Sequence, residues 1–514
     1  MFVGEIRTRS LRDSRPFRNV GIAASLSLLG LLACGPSDGS AAGGKFAPRI
    51  TMSQAAPGAC RGVELSPSVA LRAKIAKQRE GTTFCLAPGT YRLSVPIVLK
   101  RGQKLIGAGS RKTVINGAKR VSATREGSSW VVIGQTSLGQ SVLSGTSDQC
   151  RPVGGLDPKG MCVYRDQVFL DDRSLWQVGS LGELSSGEFF WDYGANKIYL
   201  ADNPTGRKLE LSVAGDGILG GAGVEIRNLT VEKFGNRAKT GAISASNGWL
   251  IAGVEVRLNH GAGIHMGPGT VVRGSFIHHN GQLGIHGGQP TCAGATGMVL
   301  EGSELSYNNA AGYNWGWEGG ATKWTYTDGL IVRNNLVHDN YGMGLWTDAP
   351  NINALYAGNV IEDNYGMGIV HELGYAAVIR DNVVRGNGFR HPVQGDVWGA
   401  GIFIDQSRDV EVFGNTVEGN AAGITAVQEP SGDYCDYGTP EIANLYVHDN
   451  IVRQPVGIAA GLRLHDEPDQ AYYTSSNNRW ANNEYSLGTP ANGFPFVWAN
   501  GTIDAAGWQS YGQD

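Results

Sequence analysis

The sequence predicts an all-β protein built as a parallel β-helix, a solenoid in which each coil pairs its strands with the coils on either side. Gly is abundant, at 76 of 514 residues, and helix-like runs are scarce. Such a composition, with regular short apolar segments, favours many strands and tight turns. In addition, the chain repeats itself between residues 220 and 460 with a period in the low twenties. Repeats of this length are typical of stacked units that bury a core only together.

The repeat is marked by an Asn at one position of each unit. The marked positions are Asn259, Asn280, Asn308, Asn340, Asn364, Asn387 and Asn420, of which the last four are 24, 23 and 33 residues apart. Asn side chains at one level of successive coils can stack as a ladder in which each amide bonds the next. We therefore predict that these residues belong to the scaffold and do not bind a ligand.

Residues 83–119 resemble the opening coils of the pectin-lyase-like superfamily of right-handed parallel β-helices. The segment contains a PGTY turn, a Gly-Ala-Gly turn and the sequence TVING. The glycine turn lacks the following helix that a nucleotide-binding loop requires. The resemblance implies that the predicted solenoid is right-handed.

The remaining sequence divides around this repeat. Residues 125–210 break the period and contain hairpin-like runs such as EFFWDYGANKIYL, which predict a β-rich insertion near the N-terminal end. The predicted segments are first coils at 56–124, the insertion at 125–210, the main β-helix at 211–470 and a Trp- and Asn-rich cap at 471–514.

The N-terminus has the pattern of a signal peptide over residues 1–33. An Arg-rich stretch is followed by an apolar run too short to span a bilayer, and then by Leu-Leu-Ala-Cys34. This ending resembles the lipobox of bacterial lipoproteins, which implies cleavage before Cys34, a lipid on its sulfur and attachment to a membrane surface. The alternative is a plain secreted protein cleaved nearby. Both place the protein in the cell envelope or outside the cell, with residues 34–55 as a flexible tether.

Six cysteines follow the signal segment, and an even number in an exported protein favours disulfides. Proximity in sequence suggests the pairs Cys60–Cys85 and Cys150–Cys162, which leaves Cys292–Cys435 as a long-range bond, although spacing does not fix the connectivity. The formal net charge is −3 and the body has no basic run, which argues against nucleic acid as a partner. The oligomeric state is left open.

Three five-residue blocks in successive repeats end in a carboxylate: GLWTD, GIVHE and GIFID end in Asp348, Glu372 and Asp405. Strand alternation places the three carboxylates on the outer face, in neighbouring coils about 4.8 Å apart. Such close carboxylates raise each other's proton affinity, so we predict a catalytic or metal-binding row. The alternative is a solvated face whose side chains splay apart. The side chains predicted to point inward are Leu345, Thr347, Ile369, His371, Ile402 and Ile404.

GLWTD, followed by HELGYAAVIRDN, resembles a group of β-helical glycoside hydrolases that includes β-xylosidases. The resemblance implies that Asp348 is the nucleophile and Glu372 the acid/base of a retaining hydrolase, for which adjacent coils give a suitable carboxyl spacing. The insertion, with VFLDDR and KIYLADNP, resembles the same group. This chain departs from the group in having Ala349 in place of an aromatic residue, so the identity of the sugar stays open.

Further candidates surround this row. One coil earlier, GGATK would place Lys323 in line with Asp348. Trp346 points outward and is the best candidate to stack on a sugar, with Trp317 as a second. Glu318 is either a further acid or the partner of Lys323. His265 and His286 lie at outward positions of earlier coils, where surface exposure explains them as well as substrate contact does.

Two other functions are consistent with the same residues. In a calcium-dependent polysaccharide lyase, Asp348, Glu372 and Asp405 would hold Ca²⁺ and Lys323 would be the base. The WEGGATK segment faintly resembles the Glu-then-Lys segment of alginate-type lyases, but the row has no outward Arg to bind a polyanionic substrate. A non-catalytic glycan-binding β-helix is the other alternative. For the favoured hydrolase we expect a carbohydrate substrate and no cofactor.

Overall fold

The computed structural model describes residues 60–141, 149–289, 291–292, 294–390, 397–488 and 493–514. The predicted signal peptide, Cys34 and the tether lie outside these residues. The described residues form three long sheets, called sheets 1, 2 and 3 here, which are parallel except for an antiparallel pair at the C-terminal end of sheet 3. Successive coils add strands to the three sheets in that order, and two coils add two short strands to sheet 1. The predicted parallel β-helix is confirmed. No helix in the described ranges is long and apolar enough to span a membrane.

The three sheets consist of short strands at regular levels. Sheet 1 contains Val63–Leu65, Thr83–Leu86, Lys104–Gly107, Glu225–Arg227, Leu250–Ala252, Val271–Arg273, Ala295–Thr296, Val299–Glu301, Thr327–Asp328, Ile331–Arg333, Asn351–Ala357, Tyr375–Arg380, Arg408–Phe413, Tyr446–His448 and Arg479–Ala481. Sheet 2 contains Gly89–Arg92, Thr113–Asn116, Thr230–Glu232, Glu255–Arg257, Phe276–His278, Glu304–Ser306, Leu336–His338, Val360–Glu362, Val383–Arg385, Thr416–Glu418, Ile451–Gln454 and Glu484–Leu487. Sheet 3 contains Ile97–Leu99, Ile218–Gly220, Gly241–Ser244, Ala262–Met266, Leu283–Gly288, Gly320–Thr325, Leu345–Thr347, Ile369–Glu372, Ala400–Asp405, Ala422–Gln428, Ala460–Leu464, Phe496–Trp498 and Gly501–Ile503.

Two smaller, mostly antiparallel sheets interrupt the coils between Ala118 and Ser212. One contains Ala118–Arg120, Val168–Leu170, Arg173–Ser174 and Leu209–Ser212, and the other Thr124–Glu126, Ser129–Ile133, Trp176–Val178, Glu188–Asp192 and Lys197–Leu200. Their apolar faces form a hydrophobic cluster of their own, centred on residues such as Phe189, Trp191 and Leu211. We refer to this region as the insertion.

Helices are short and lie at the edges of the stack. They are Leu71–Ala76, Trp315–Glu318, Ala471–Thr474 and Ala505–Ser510, with a 3₁₀ turn at Leu181–Glu183. The last helix follows the final coil and brings Trp508 against Trp480 and Trp498, with ring centroids 5.6 and 5.8 Å apart. These buried aromatic rings cover the C-terminal end of the core.

The core runs through the middle of the stack. In sheet 3, Leu345, Ile369, Ile402 and Ile404 point inward and are fully buried, as alternation predicts. Since every coil contributes such residues, the apolar side chains form one continuous column.

The predicted Asn ladder is present and buried. Asn340 donates from Nδ2 to Oδ1 of Asn364 at 2.8 Å, and Asn364 donates in the same way to Asn387 at 2.9 Å. A second ladder contains Asn335, Asn359, Asn382, Asn415, Asn450 and Asn483. The amides also bond backbone carbonyls of the previous coil, which satisfies polar groups at the bends.

All three predicted disulfides are present. Cys60–Cys85, Cys150–Cys162 and Cys292–Cys435 have Cα–Cα distances of 5.7, 5.7 and 5.6 Å. The third joins residues 143 positions apart and connects two distant coils.

Candidate active site

The carboxylates lie where successive strands of sheet 3 end. Glu372 pairs directly with Asp405, and Thr347 pairs with His371, so that Asp348 follows at the level of Glu372. Neighbouring parallel strands are about 4.8 Å apart. The row predicted from the three blocks is therefore present in the register of the sheet.

Lys323 is not in this row, and the predicted alignment was wrong by two residues. Trp324 pairs with Thr347, which places Lys323 level with Trp346. The prediction aligned GGATK with GLWTD by their first glycines. The bend before Gly320 differs in length from the bends of the following coils, so this alignment placed Lys323 two residues too far along the strand. An offset of two keeps Lys323 on the outer face, and its Nζ reaches Oδ2 of Asp348 at 2.7 Å.

The outer face beside the row is covered by apolar side chains. Trp346, Val370 and Phe403, at one level of three coils, form a hydrophobic cluster with Val153 of the insertion and Val397. The side chain of Asp348 is 23% exposed and Asp405 is 6% exposed. The carboxylates thus lie at the edge of a packed surface, not splayed on a solvated face.

Trp346 holds Glu372 in place. Its Nε1 donates to Oε2 of Glu372 at 2.8 Å, and the Nζ of Lys323 lies 3.6 Å from its ring centroid. The residue is only 3% exposed. The expectation that this ring offers an open face to a sugar was therefore wrong, because the insertion and Lys323 cover it.

The carboxyl groups differ in their environments. Burial, followed by the charge of Asp348, raises the pKa of Glu372 to about 8. Burial, followed by the charges of Glu372 and Glu429, also raises the pKa of Asp405 well above its usual range. The raised pKa favours the protonated form of both groups, whereas Asp348 lies against the ammonium of Lys323, with Nζ and Oδ2 2.7 Å apart.

Lys323 remains an ammonium in this setting. Burial by itself would lower its pKa, but the negative charges of Asp348 and Glu318, the two largest opposing influences, contribute to outweighing that effect, and the pKa is raised. A general base must be neutral at its working pH. The predicted role of Lys323 as the base of a lyase is therefore disfavoured.

Glu318 belongs to the same charged cluster. The short helix Trp315–Glu318 buries its carboxylate, whose Oε1 is 2.5 Å from the Nζ of Lys239 and 3.9 Å from that of Lys323. Burial by itself would raise the pKa of Glu318, but Lys323, Lys239 and His286 outweigh it and the pKa is lowered. Glu318 thus pairs closely with Lys239 and more distantly with Lys323, which was the partner that the sequence suggested for it.

The two predicted histidines lie next to this cluster. His265 and His286 pair in register, with stacked rings 5.3 Å apart and Nδ1 atoms at 3.1 Å. His286 Nε2 is 3.7 Å from Oε2 of Glu318, and burial lowers its pKa to about 3, so the ring is neutral. Trp317 lies at the edge of the cluster, its ring centroid 4.8 Å from the Nζ of Lys239. Both histidines are largely buried, so neither is a solvated surface residue.

Sequence reasoning missed some neighbours of the row. Val427 pairs with Asp405, so Glu429 is the next outward position, and its charge reaches both Asp405 and Glu372. Extending the alternation through GITAVQE would have found it. The ring centroid of Trp398 lies 5.1 Å from that of Phe403. Trp398 lies in a loop, so the repeat pattern of the strands does not predict its position.

The described residues contain no group of three or more His, Cys, Asp or Glu side chains arranged to hold a metal ion. The ammonium of Lys323 already pairs with Asp348, and Trp346 already bonds Glu372. The calcium set predicted for a lyase therefore does not fit the residues in the row.

A separate cavity of about 470 Å³ lies between the insertion and the bends of the β-helix. It is lined by residues such as Tyr164, Trp176, His279 and Tyr341. Its lining contains none of the three carboxylates Asp348, Glu372 and Asp405.

Residues 240–393 match the sequence model of the family described as "Right handed beta helix region". The chain is a right-handed parallel β-helix. No curated protein sequence is similar enough to this β-helix to count as a relative.

Two solved structures are similar to this chain. The complex of XylC with xylose superposes with a TM-score of 0.58 at 14% identity, over 82% of this chain and 80% of that chain. The A-module of mannuronan C-5 epimerase AlgE6 from Azotobacter vinelandii gives a TM-score of 0.48 at 16% identity, over 85% and 92%. At 14% identity the likeness to the XylC complex concerns the fold alone, which is the predicted parallel β-helix.

Proposed function

We propose that this protein is an extracytoplasmic glycoside hydrolase that cleaves a polysaccharide or oligosaccharide with retention of configuration. Asp348 is the nucleophile and Glu372 the acid/base. One observation supports this most directly: two carboxyl groups on adjacent coils have different environments, because Asp348 pairs with Lys323 whereas the pKa of Glu372 is raised to about 8. A retaining hydrolase requires such a pair, one group ionised and one protonated.

In the first step, an oxygen of Asp348 attacks the anomeric carbon while the bond to the leaving oxygen breaks. Glu372 gives its proton to that oxygen, which leaves as an alcohol. The product is a glycosyl ester on Asp348. The ester carries no charge, so the contribution of Asp348 to the raised pKa of Glu372 disappears.

In the second step, the ionised Glu372 takes a proton from water and the water oxygen attacks the anomeric carbon. The ester bond breaks and Asp348 returns as a carboxylate, now paired again with Lys323. Two displacements at one carbon give retention. Trp346 orients Glu372 in both steps through the Nε1 hydrogen bond.

The experiment is a screen of neutral and acidic glycans followed by product analysis. XylC, which shares this fold, was solved in complex with xylose, so xylo-oligosaccharides are the first substrates to test. We expect new reducing ends whose anomeric configuration, followed by NMR, equals that of the substrate. Asp348→Asn and Glu372→Gln should lower kcat at least 10³-fold, on the order of 4 kcal/mol, while the exposed Asp381→Asn should not.

Each alternative function predicts a different result. A calcium-dependent lyase would give unsaturated, ultraviolet-absorbing products and would lose activity in a chelator. A non-catalytic glycan-binding protein would retain its binding in Asp348→Asn and Glu372→Gln and would cleave nothing. Either result would refute the hydrolase.

We also propose that Cys34 carries a lipid and attaches the protein to a membrane surface. The support is the lipobox-like sequence and the three disulfides, which are typical of exported proteins. Cys34→Ser should move the protein from the membrane fraction to the soluble fraction of a bacterial host. An unchanged distribution would exclude the anchor.

A further inference from the structure

Residues 429–443 form an excursion, called the strap here, that begins immediately after the sheet 3 strand Ala422–Gln428. In the two coils before it, sheet 3 and sheet 1 are joined by only two residues, Leu373-Gly374 and Gln406-Ser407. The corresponding connection that contains the strap runs from residue 429 to 445. Connections of this length inside a compact fold are uncommon and are often functional.

The disulfide fixes the direction of the strap. Cys292 follows Gly287 by five residues. In sheet 3, Gly287 is five strand spacings away from Ala426, which lies in the strand that the strap leaves. The residues paired in between are Trp324, Thr347, His371 and Ile404. At about 4.8 Å per level this is roughly 24 Å. Because Cys435 is bonded to Cys292, the strap must run back along the ends of the strands that carry the carboxylates.

Other contacts attach the strap to this edge. Tyr375, three residues after Glu372, donates from Oη to the carbonyl oxygen of Gly438 at 2.6 Å, and its ring is 5.5 Å from that of Tyr437. At the far end, the backbone N–H of Ile442 donates to Oε1 of Gln428 at 2.7 Å. The strap is thus held at both ends and in the middle.

Tyr434 lies at the attachment in the middle of the strap, since its backbone N–H donates at 3.3 Å to the carbonyl oxygen of Gly438, which also accepts from Tyr375. It precedes the bonded Cys435 and is half-buried. Burial raises its pKa, and the charges of Asp348, Tyr326 and Glu372 add to the increase. The phenol therefore lies within electrostatic reach of both carboxyl groups.

The charge of the strap is of one sign. Its sequence, EPSGDYCDYGTPEIA, contains four acidic residues and no Lys, Arg or His. The acidic positions are Glu429, Asp433, Asp436 and Glu441. Basic side chains outside the strap lie beside two of them, His465 at 2.8 Å from Glu429 and Arg408 at 3.8 Å from Glu441, so Asp433 and Asp436 supply most of the net charge. A wall of this charge beside Asp348 repels polyanionic chains and leaves neutral sugars unaffected.

We propose that the strap is a disulfide-held wall of the active site that selects uncharged glycans, and that Tyr434 contacts the substrate and helps to determine this specificity. The proposal rests on the proposed hydrolase and adds the class of substrate. A Tyr ring offers an apolar face to the C–H side of a sugar and a hydroxyl for a hydrogen bond. Polymers of uronic acids are the class that the wall excludes.

The test measures binding separately from cleavage. Xylohexaose and polygalacturonate serve as neutral and anionic probes, and calorimetry gives Kd for each. We expect wild type to bind xylohexaose and to bind polygalacturonate at least ten-fold more weakly at low salt. Tyr434→Ala should weaken xylohexaose binding about ten-fold and raise KM with a smaller change in kcat, with Tyr434→Phe between the two. The exposed Tyr511→Ala is the matched control.

The disulfide is tested with two paired variants. Cys292→Ser with Cys435→Ser should reproduce the loss of xylohexaose binding seen in Tyr434→Ala, whereas Cys60→Ser with Cys85→Ser should lower thermal stability without changing Kd of the folded protein. The proposal is overturned if wild type fails to bind xylohexaose, if polygalacturonate binds as tightly, or if Tyr434→Ala and the Cys292 and Cys435 pair leave Kd within two-fold of wild type.

Failure of the hydrolase proposal gives a different pattern. In that case Asp348→Asn and Glu372→Gln keep wild-type activity or no glycan is cleaved, while xylohexaose binding still depends on Tyr434. The two proposals can therefore fail separately.

Discussion

At the scale of single residues, the proton on Glu372 is the feature on which the proposed chemistry depends. Its carboxyl is buried beside the carboxylate of Asp348, which favours the protonated form, while Lys323 and the N–H of Trp346 favour the ionised form. Burial and the charge of Asp348 together are the stronger influence, so the pKa of Glu372 is raised. A residue that must act first as an acid and then as a base benefits from this near balance.

This balance predicts the pH profile. The acid form of Glu372 is lost as the pH rises through about 8, so kcat/KM should fall above that pH. Trp346→Phe removes a donor that stabilises the ionised form, so it should raise the pKa of Glu372 and move the alkaline limb to higher pH. We also expect about a ten-fold lower maximal rate, because the carboxyl loses its orientation.

The measurement is kcat/KM between pH 4 and 10 on the best substrate of the screen. Trp130→Phe, in the insertion and outside the site, is the control and should leave the profile unchanged. An alkaline limb that moves to lower pH in Trp346→Phe would contradict the role given to the indole N–H.

At the scale of elements, the Asn ladders explain how bends with many polar groups can stack without water. Asn364 accepts from the backbone N–H and the Nδ2 of Asn340, and it donates to Asn387 and to the carbonyl oxygen of Val337. Each Asn therefore serves two coils at once. Removing one leaves buried donors and acceptors unpaired in both neighbours.

Asn364→Ala should accordingly lower the free energy of unfolding by about 2–4 kcal/mol. Asn203→Ala, at an exposed turn of the insertion, should cost less than about 1 kcal/mol. Denaturant unfolding curves of the two variants and of wild type give the comparison. Equal losses for the two variants would show that the ladder adds nothing beyond a local turn contact.

At the scale of the whole molecule, the insertion completes the outer face of the β-helix. Val153 and Leu156 pack with Trp346 and Met343 on that face, and Tyr365 donates from Oη to the carbonyl oxygen of Gly154 at 3.3 Å. A Cβ on Gly154 would lie 1.3 Å from the ring of Tyr365. The contact joins residues 211 positions apart. We expect the packing around Trp346, and with it the orientation of Glu372, to depend on it.

Two adjacent glycines give a matched test. Gly154 and Gly155 both have positive φ, 56° and 86°, but a Cβ on Gly155 meets nothing within 4 Å. Gly154→Ala should lower the free energy of unfolding by about 1–3 kcal/mol more than Gly155→Ala and should reduce kcat, as thermal unfolding and initial rates will report. Similar values for both variants would mean that backbone strain alone is responsible and that the insertion does not support the site.

Periodicity was sufficient for the fold and for part of the site. The low-twenties repeat, the Asn positions and the alternation in the blocks ending in Asp348, Glu372 and Asp405 are local in sequence, and sheet register preserves them. The level of Lys323 was predicted wrongly because it depends on the length of a bend, which alternation does not encode. The burial of Trp346 was also missed, because it comes from the insertion.

The sequence by itself thus determined the coil, its inward and outward positions, the disulfide candidates and the row of carboxylates, because all of these follow from short repeated patterns. Only the tertiary structure decided which carboxyl groups have a raised pKa and which segments enclose the row. Protonation depends on burial and on charges brought from other coils, such as Lys323 and Glu429. The strap reaches the site through a bond between residues 143 positions apart, a distance over which no sequence period operates.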